Sequence, residues 1–124
     1  MTRVASRWLR MEGAVVGIAA LAAMWWTDIG LWMAIAVLIA PDIALGGYLI
    51  GNRVGGILYN IVHSYSLPVM LLAVLVGSSA PSATLGLALG SIAHCGLDRA
   101  LGYGLKGSRF GETHLGPIGR DPRP

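Results

Sequence analysis

From Val54 to Leu97 the chain contains no Asp, Glu, Lys or Arg, and between Glu12 and Arg53 it contains only Asp28 and Asp42. Apolar runs of that length leave a lipid bilayer as the fitting solvent. Composition agrees: 12% of the 124 residues are charged and 55% are hydrophobic, with a mean hydropathy of +0.67, whereas soluble domains carry about 25% charged residues. The basic residues sit at the edges of the runs, as Arg3, Arg7, Arg10, Arg53, Arg99, Lys106, Arg109, Arg120 and Arg123. The net charge of +3 therefore reads as membrane topology and not as a nucleic-acid footprint, and no nucleic-acid partner is expected. The one cysteine, Cys95, excludes an intrachain disulfide framework.

A transmembrane helix needs about 20 mostly apolar residues. Four stretches fit, the first short unless Glu12 and Thr27 sit at the interfaces: about 13–27, 30–50, 54–76 and 82–102. The loops between them, TDIG, GNR and GSSAPS, are tight. The expected fold is all-α: a polytopic membrane protein whose residues 1–106 form a four-helix transmembrane domain, followed by a Gly- and Pro-rich tail at 107–124. The three N-terminal arginines before Ala20-Leu21-Ala22 resemble a signal peptide, but the apolar stretch continues through Met24, Trp25 and Trp26. The first helix is read as retained, with the two tryptophans as interfacial anchors. With four spans, the N-terminal arginines, Arg53 and the basic tail fall on one side, which the positive-inside rule makes cytoplasmic. Both termini are then inside; three spans would put the tail's cations opposite the N-terminal arginines.

Three of these helices carry ionisable groups at one depth. Asp42, His63 and His94 each lie eight or nine residues from the cytoplasmic end of their span, roughly 12 Å inside the boundary at 1.5 Å per residue. Asp98 is one turn shallower. Tyr59, Asn60 and His63 share a helical face, and Gly86, Gly90, His94, Asp98 and Gly102 form an i, i+4 ridge on which glycine permits close helix approach. Pro41 precedes Asp42 and Pro68 follows His63, so each helix is expected to kink beside its polar group and free a carbonyl, that of Val37 or Ser64. An isolated aspartate in lipid costs roughly 2.5–3.5 kcal/mol on the insertion scale, so Asp42 needs a partner. Hydrogen bonds within a structural network would serve. So would a divalent metal such as zinc or iron, held by His63, His94 and Asp42 or Asp98, with His114 of GETHLG folding back as a further donor. Arg99 and Lys106 are expected to snorkel to the headgroups. No Walker loop, nucleophile elbow, H-E-x-x-H or paired-cysteine motif is present. Gly102 and Gly104 around Tyr103 permit a helix stop and a turn, after which RFGETHLG is expected to run back beneath the helices, with Thr113 and His114 capping the polar layer.

The segments RMEG (10–13), APDIALGGYLIGNRVGGILYNIVHSYSLP (40–68), IAHCGLDRALGYGLK (92–106) and FGETHLGPIG (110–119) resemble domain-of-unknown-function family 4260, small bacterial membrane proteins. The resemblance spans nearly the whole chain. It implies a Pro-Asp pair, a Tyr-Asn-x-x-His segment, a His-x-Gly-x-Asp-Arg segment, Gly-Tyr-Gly-Leu-Lys and a Thr-His-Leu-Gly tail. These fall on Pro41-Asp42, Tyr59 to His63, His94 to Arg99, Gly102 to Lys106 and Thr113 to Gly116. Gly46-Gly47 stand where a bulkier residue is usual, and Ser64 where threonine is. The resemblance implies a bacterial inner-membrane location and names no reaction. Two classes of function follow. One is a cytoplasmic-leaflet site for a metal or small polar ligand, extending to hydrolysis of a lipid-like substrate by a general base beside a metal-bound water. The other is an accessory subunit packing on a larger membrane complex or on its own copies, its polar layer structural. A transporter is the weaker third reading, since four helices are few for a pathway.

Overall fold

The computed structural model describes residues 2–107 and 109–118. Their architecture is all-α, with four helical rods and a short turn of chain folded under one end. The first rod is α1 (Arg3–Trp25). The second is α2 (Leu31–Ile39), continued by a 3₁₀ segment at Ala40–Leu49. The third comprises α3 (Asn52–Val62) and α4 (Ser66–Val76), and the fourth is α5 (Ser82–Leu101). The stretches Arg3–Trp25, Leu31–Leu49 and Asn52–Val76 are long and apolar enough to cross a membrane. Their outward faces carry exposed Trp, Leu, Ile and Val side chains, including Trp25 and Trp32, with exposed Trp26 just past the end of the first, a surface that suits lipid. These helices mark the chain as a membrane protein.

α5 is less apolar because its neighbours cover it. It packs against α1, α2 and α4, and only Leu87 and Leu101 along it are exposed. A helix buried among others can carry Gly, Ser, His and Asp where a lipid-facing one cannot. Its closest approach is to α1. A Cβ on Gly96 would lie 2.5 Å from Gly17 N and 2.6 Å from Gly17 Cα, and one on Gly13 would lie 2.9 Å from the Gly96 carbonyl oxygen. Gly13, Gly17 and Gly96 thus let two backbones touch. Without a hydrophobic drive between helices in lipid, that dispersion contact is what holds them. Of the ridge expected on α5, Gly86 meets Thr27 and Ile29 and Gly90 meets Val37 and Met24, all through side chains; the tightest contact with another backbone is at Gly96, off that ridge.

Three boundaries differ from the sequence reading. The first helix starts at Arg3 and not near residue 13, because Thr2 caps it by accepting from the Ala5 N–H at 3.3 Å and its first turns are held from the side. Arg10 Nε donates to the Ala100 carbonyl at 2.9 Å, and Ser6 Oγ to the Leu115 carbonyl at 3.4 Å. The second helix does not merely kink at Pro41: it tightens to 3₁₀ for ten residues, although such runs seldom exceed four. The third helix stops at Val62 and restarts at Ser66, which places Pro68 in the first turn of α4, where its missing N–H is no loss.

α5 ends as expected. Gly102 adopts φ 96°, its N–H bonds the Arg99 carbonyl and the Tyr103 N–H bonds the Asp98 carbonyl at 2.7 Å, the paired bonds of a Schellman stop. The chain then folds back. Lys106 bridges to Thr113, and Glu112–Thr113 pairs antiparallel with Gly116–Pro117. Asn60 holds this turn to α3, donating to the Lys106 carbonyl at 3.0 Å and accepting from its N–H at 2.6 Å. Leu115 is buried. Residues 119–124 of the expected tail lie outside the described residues.

Candidate functional site

Asp42 enters from the first turn of the 3₁₀ segment, His63 from the break between α3 and α4, and His94 and Asp98 from successive turns of α5. One ligating atom from each lies within 4.8 Å of the other three. His63 Nε2 and His94 Nε2 are 3.0 Å apart. Asp42 Oδ1 is 3.5 Å from His63 Nε2 and 3.7 Å from His94 Nε2, and Asp98 Oδ2 is 3.6 and 3.7 Å from the same two atoms. Both imidazoles are buried, while the Asp42 side chain is 49% exposed and that of Asp98 19%. The nitrogen pair closes the floor and the carboxylates form the open side.

The helix irregularities orient this group. His94 Nδ1 bonds the Leu38 carbonyl at 2.7 Å. Leu38 lies three residues before Pro41, so the N–H that a 3₁₀ turn would offer its oxygen does not exist. His63 Nδ1 bonds the Tyr59 carbonyl at 3.0 Å, and the Tyr59 ring stacks on His63 with centroids 3.6 Å apart. A carbonyl only accepts, so each Nδ1 carries a proton, and an imidazole with that one proton turns a bare Nε2 lone pair inward. With each ring carrying only its Nδ1 proton, four acceptors face one another. Such a set repels itself unless a metal cation or a shared proton sits within it. The four donor atoms of tetrahedral zinc, bound at 2.0–2.2 Å, are about 3.3–3.6 Å apart, close to the separations here. Tyr59 Oη donates to Asp98 Oδ2 at 3.0 Å, so one carboxylate and both histidines have the outer partners that metal ligands usually have.

The other residues expected at the site are placed elsewhere. Asn60 docks the tail, as described. Arg99 stacks on the Tyr65 ring, its guanidinium carbon 4.3 Å from the centroid. Thr113 Oγ1 donates to the Gly116 carbonyl and accepts from Leu115 N–H, closing the turn. His114 is not among the four convergent ligands: its Nδ1 accepts from the Leu105 N–H at 2.9 Å against Gly104. Lys106, expected at the headgroups, is buried, with Nζ 4.7 Å from the Tyr59 ring centroid and 4.6 Å from that of Phe110. Burial pushes its ammonium below the usual lysine range, and the Asp98 charge pulls it back up. The Ser64 carbonyl, which Pro68 leaves without a helical donor, receives Cys95 Sγ at 3.8 Å, and the Val62 carbonyl receives it at 3.6 Å. A cavity of about 540 Å³ opens beside the cluster, lined in part by Asp42, Tyr59, Asp98, Tyr103 and Lys106. Leu38 was missed by pattern reading and Lys106 was assigned to the headgroups instead of the cavity; Pro41, three residues after Leu38, was the available signal for the first.

Tail docking should respond to pH through His114. Burial, then the Arg99 charge, holds its pKa below the ordinary histidine value. The docked tail favours neutral imidazole and the released tail takes the proton more readily, so docking is complete above about pH 6.5 and weakens as pH falls through the lowered pKa. Protonation also removes the acceptor of the Leu105 N–H. Exchange protection of that amide should fall between about pH 7.5 and pH 5, and His114→Ala should abolish the dependence.

No curated protein and no solved structure matched this chain. A family model described as Domain of unknown function (DUF4260) matches residues 6–118, a span that holds all four convergent residues and both ends of the Ser6–Leu115 contact. The chain belongs to that family.

Proposed function

We propose that this is a multi-pass membrane metalloprotein whose Asp42, His63, His94 and Asp98 bind one divalent cation, zinc or iron(II), inside a four-span bundle. The observation that carries the reading is the pair of Nδ1–carbonyl bonds, which leaves two imidazole lone pairs 3.0 Å apart facing two carboxylates. A cation held by these four residues would supply Lewis acidity and, in a fifth position, a water of lowered pKa. The carboxylate side, open through half-exposed Asp42, is where that chemistry meets a substrate. All the basic edges then lie on the face that bears the site, so the positive-inside rule makes that face and both termini cytoplasmic, in a bacterial inner membrane.

A second reading has its own observation. Nitrogens at 3.0 Å also suit an N–H···N bond in which one shared proton replaces the metal, as in an accessory subunit whose polar layer only fixes its packing on a larger complex. Elemental analysis of protein purified without chelator separates the two. The metal reading predicts about one equivalent of zinc or iron per chain, lost in Asp42→Asn/His63→Gln protein. Metal-free protein that takes up no zinc would leave the proton-sharing network. A reporter fused after residue 124 should be active only in its cytoplasmic form; a periplasmic signal would overturn the four-span topology.

A further inference from the structure

The cavity beside the cluster holds more than its two carboxylates. Its wall includes Lys106, and its remaining surface is largely apolar, with Leu45, Phe110 and Ile118. The Lys106 ammonium is clamped over Tyr59 and Phe110, and among the described residues no carboxylate forms an ion pair with it. The same Tyr59 that lies under the ammonium donates its hydroxyl to Asp98, so one ring separates the fixed cation from the centre. Burying a lysine with no carboxylate at ion-pair distance is costly, and an ammonium held against two rings suits an anion arriving from outside. Charge supports this: a divalent ion between Asp42 and Asp98, with Lys106 nearby, leaves the cavity one net positive charge.

Resting on the metal reading above, we infer that this cavity binds an amphiphile with a phosphate monoester head, its phosphoryl oxygens between Lys106 and the metal and its alkyl chain on Leu45, Phe110 and Ile118. The head must reach two cations separated by the Tyr59 ring. A phosphate monoester offers three terminal oxygens for this and a carboxylate two. Phe110 is half-exposed and extends the apolar wall outward, giving a chain a route from a surrounding bilayer.

The test uses the full chain loaded with zinc in an uncharged detergent, titrated calorimetrically with hexyl phosphate, hexanoate, hexanol and inorganic phosphate, with zinc content measured on the same samples. Hexyl phosphate should bind with a stoichiometry near one, at least about tenfold tighter than each of the others. Lys106→Met keeps the aliphatic stem, and both Asn60 bonds go to backbone atoms of residue 106. It should weaken hexyl phosphate at least about tenfold with zinc unchanged, and Lys106→Arg should restore most of the loss. Leu45→Asn should weaken hexyl phosphate while leaving inorganic phosphate unaffected. Equal affinity of wild-type and Lys106→Met protein, each holding one zinc, would overturn the pocket and leave the metal centre standing. Equal binding of hexanoate would overturn the phosphate assignment, equal binding of inorganic phosphate would overturn the lipid-like substrate, and protein holding neither zinc nor hexyl phosphate would overturn both readings.

Discussion

Purified His94→Ala protein is expected to lose stoichiometric metal while keeping its helical content. His94 supplies one of the two inward lone pairs, and its Nδ1–H serves the Leu38 carbonyl, so alanine removes both a ligand and the bond that positions it. Loss of an outer partner alone weakens metal binding about 10–100-fold, and loss of the ligand should exceed about 100-fold. Tyr59→Phe isolates the smaller effect. It keeps the ring stacked on His63 and under Lys106 but deletes the hydroxyl on Asp98 Oδ2, and should weaken zinc about 10–100-fold. Competition with a chromophoric chelator measures both. A structural polar network predicts a different order, with stability falling in both variants and metal content unaffected.

The second large effect concerns the frame that carries α5. Gly96→Ala would drive its Cβ against the backbone of Gly17. Backbone cannot rotate aside as a side chain does, so the helices must separate and forfeit packing along α1 and α5. The cost should reach about 2–3 kcal/mol, the upper part of the usual overpacking range, despite alanine's helix-propensity advantage of about 1 kcal/mol over glycine. Gly46→Ala meets no atom within 4 Å and should stay within about 0.5 kcal/mol of the native protein. Reversible unfolding in mixed micelles would show the contrast. Because Gly96 lies between His94 and Asp98 in α5, the same substitution should also weaken zinc.

Much of the site was legible because lipid makes ionisable residues conspicuous. Asp42, His63 and His94 stood out as charges or donors within long apolar runs at matched distances from one edge, and Asp98 followed by helical spacing. The stop at Gly102 was equally readable, since a glycine that ends an apolar helix has few other uses. The prolines were read as kinks, but whether a helix bends, tightens or stops depends on what its neighbours offer the freed carbonyls. His94 takes Leu38 in a 3₁₀ segment, and Cys95 takes Val62 and Ser64 across a full break. These partners are 31 to 56 residues away in sequence, beyond any local pattern. Lys106 misled for a related reason. A lysine just past a helix end usually reaches for headgroups, and only the folded-back turn, which brings Phe110 opposite Tyr59, holds it inside. The arginines before residue 13 looked like a flanking segment until Ser6 and Arg10 found partners at Leu115 and Ala100.

The central claim is that two histidines and two aspartates share one cation, and X-ray absorption at the zinc edge of the loaded, full-length protein tests it most directly. Four protein nitrogen and oxygen atoms at about 2.0–2.1 Å, with at most one further oxygen from water, are expected in the first shell, with outer-shell scattering from two imidazoles and no sulfur despite buried Cys95 nearby. A shell containing sulfur at about 2.3 Å, or six oxygens with no imidazole signal, would contradict it.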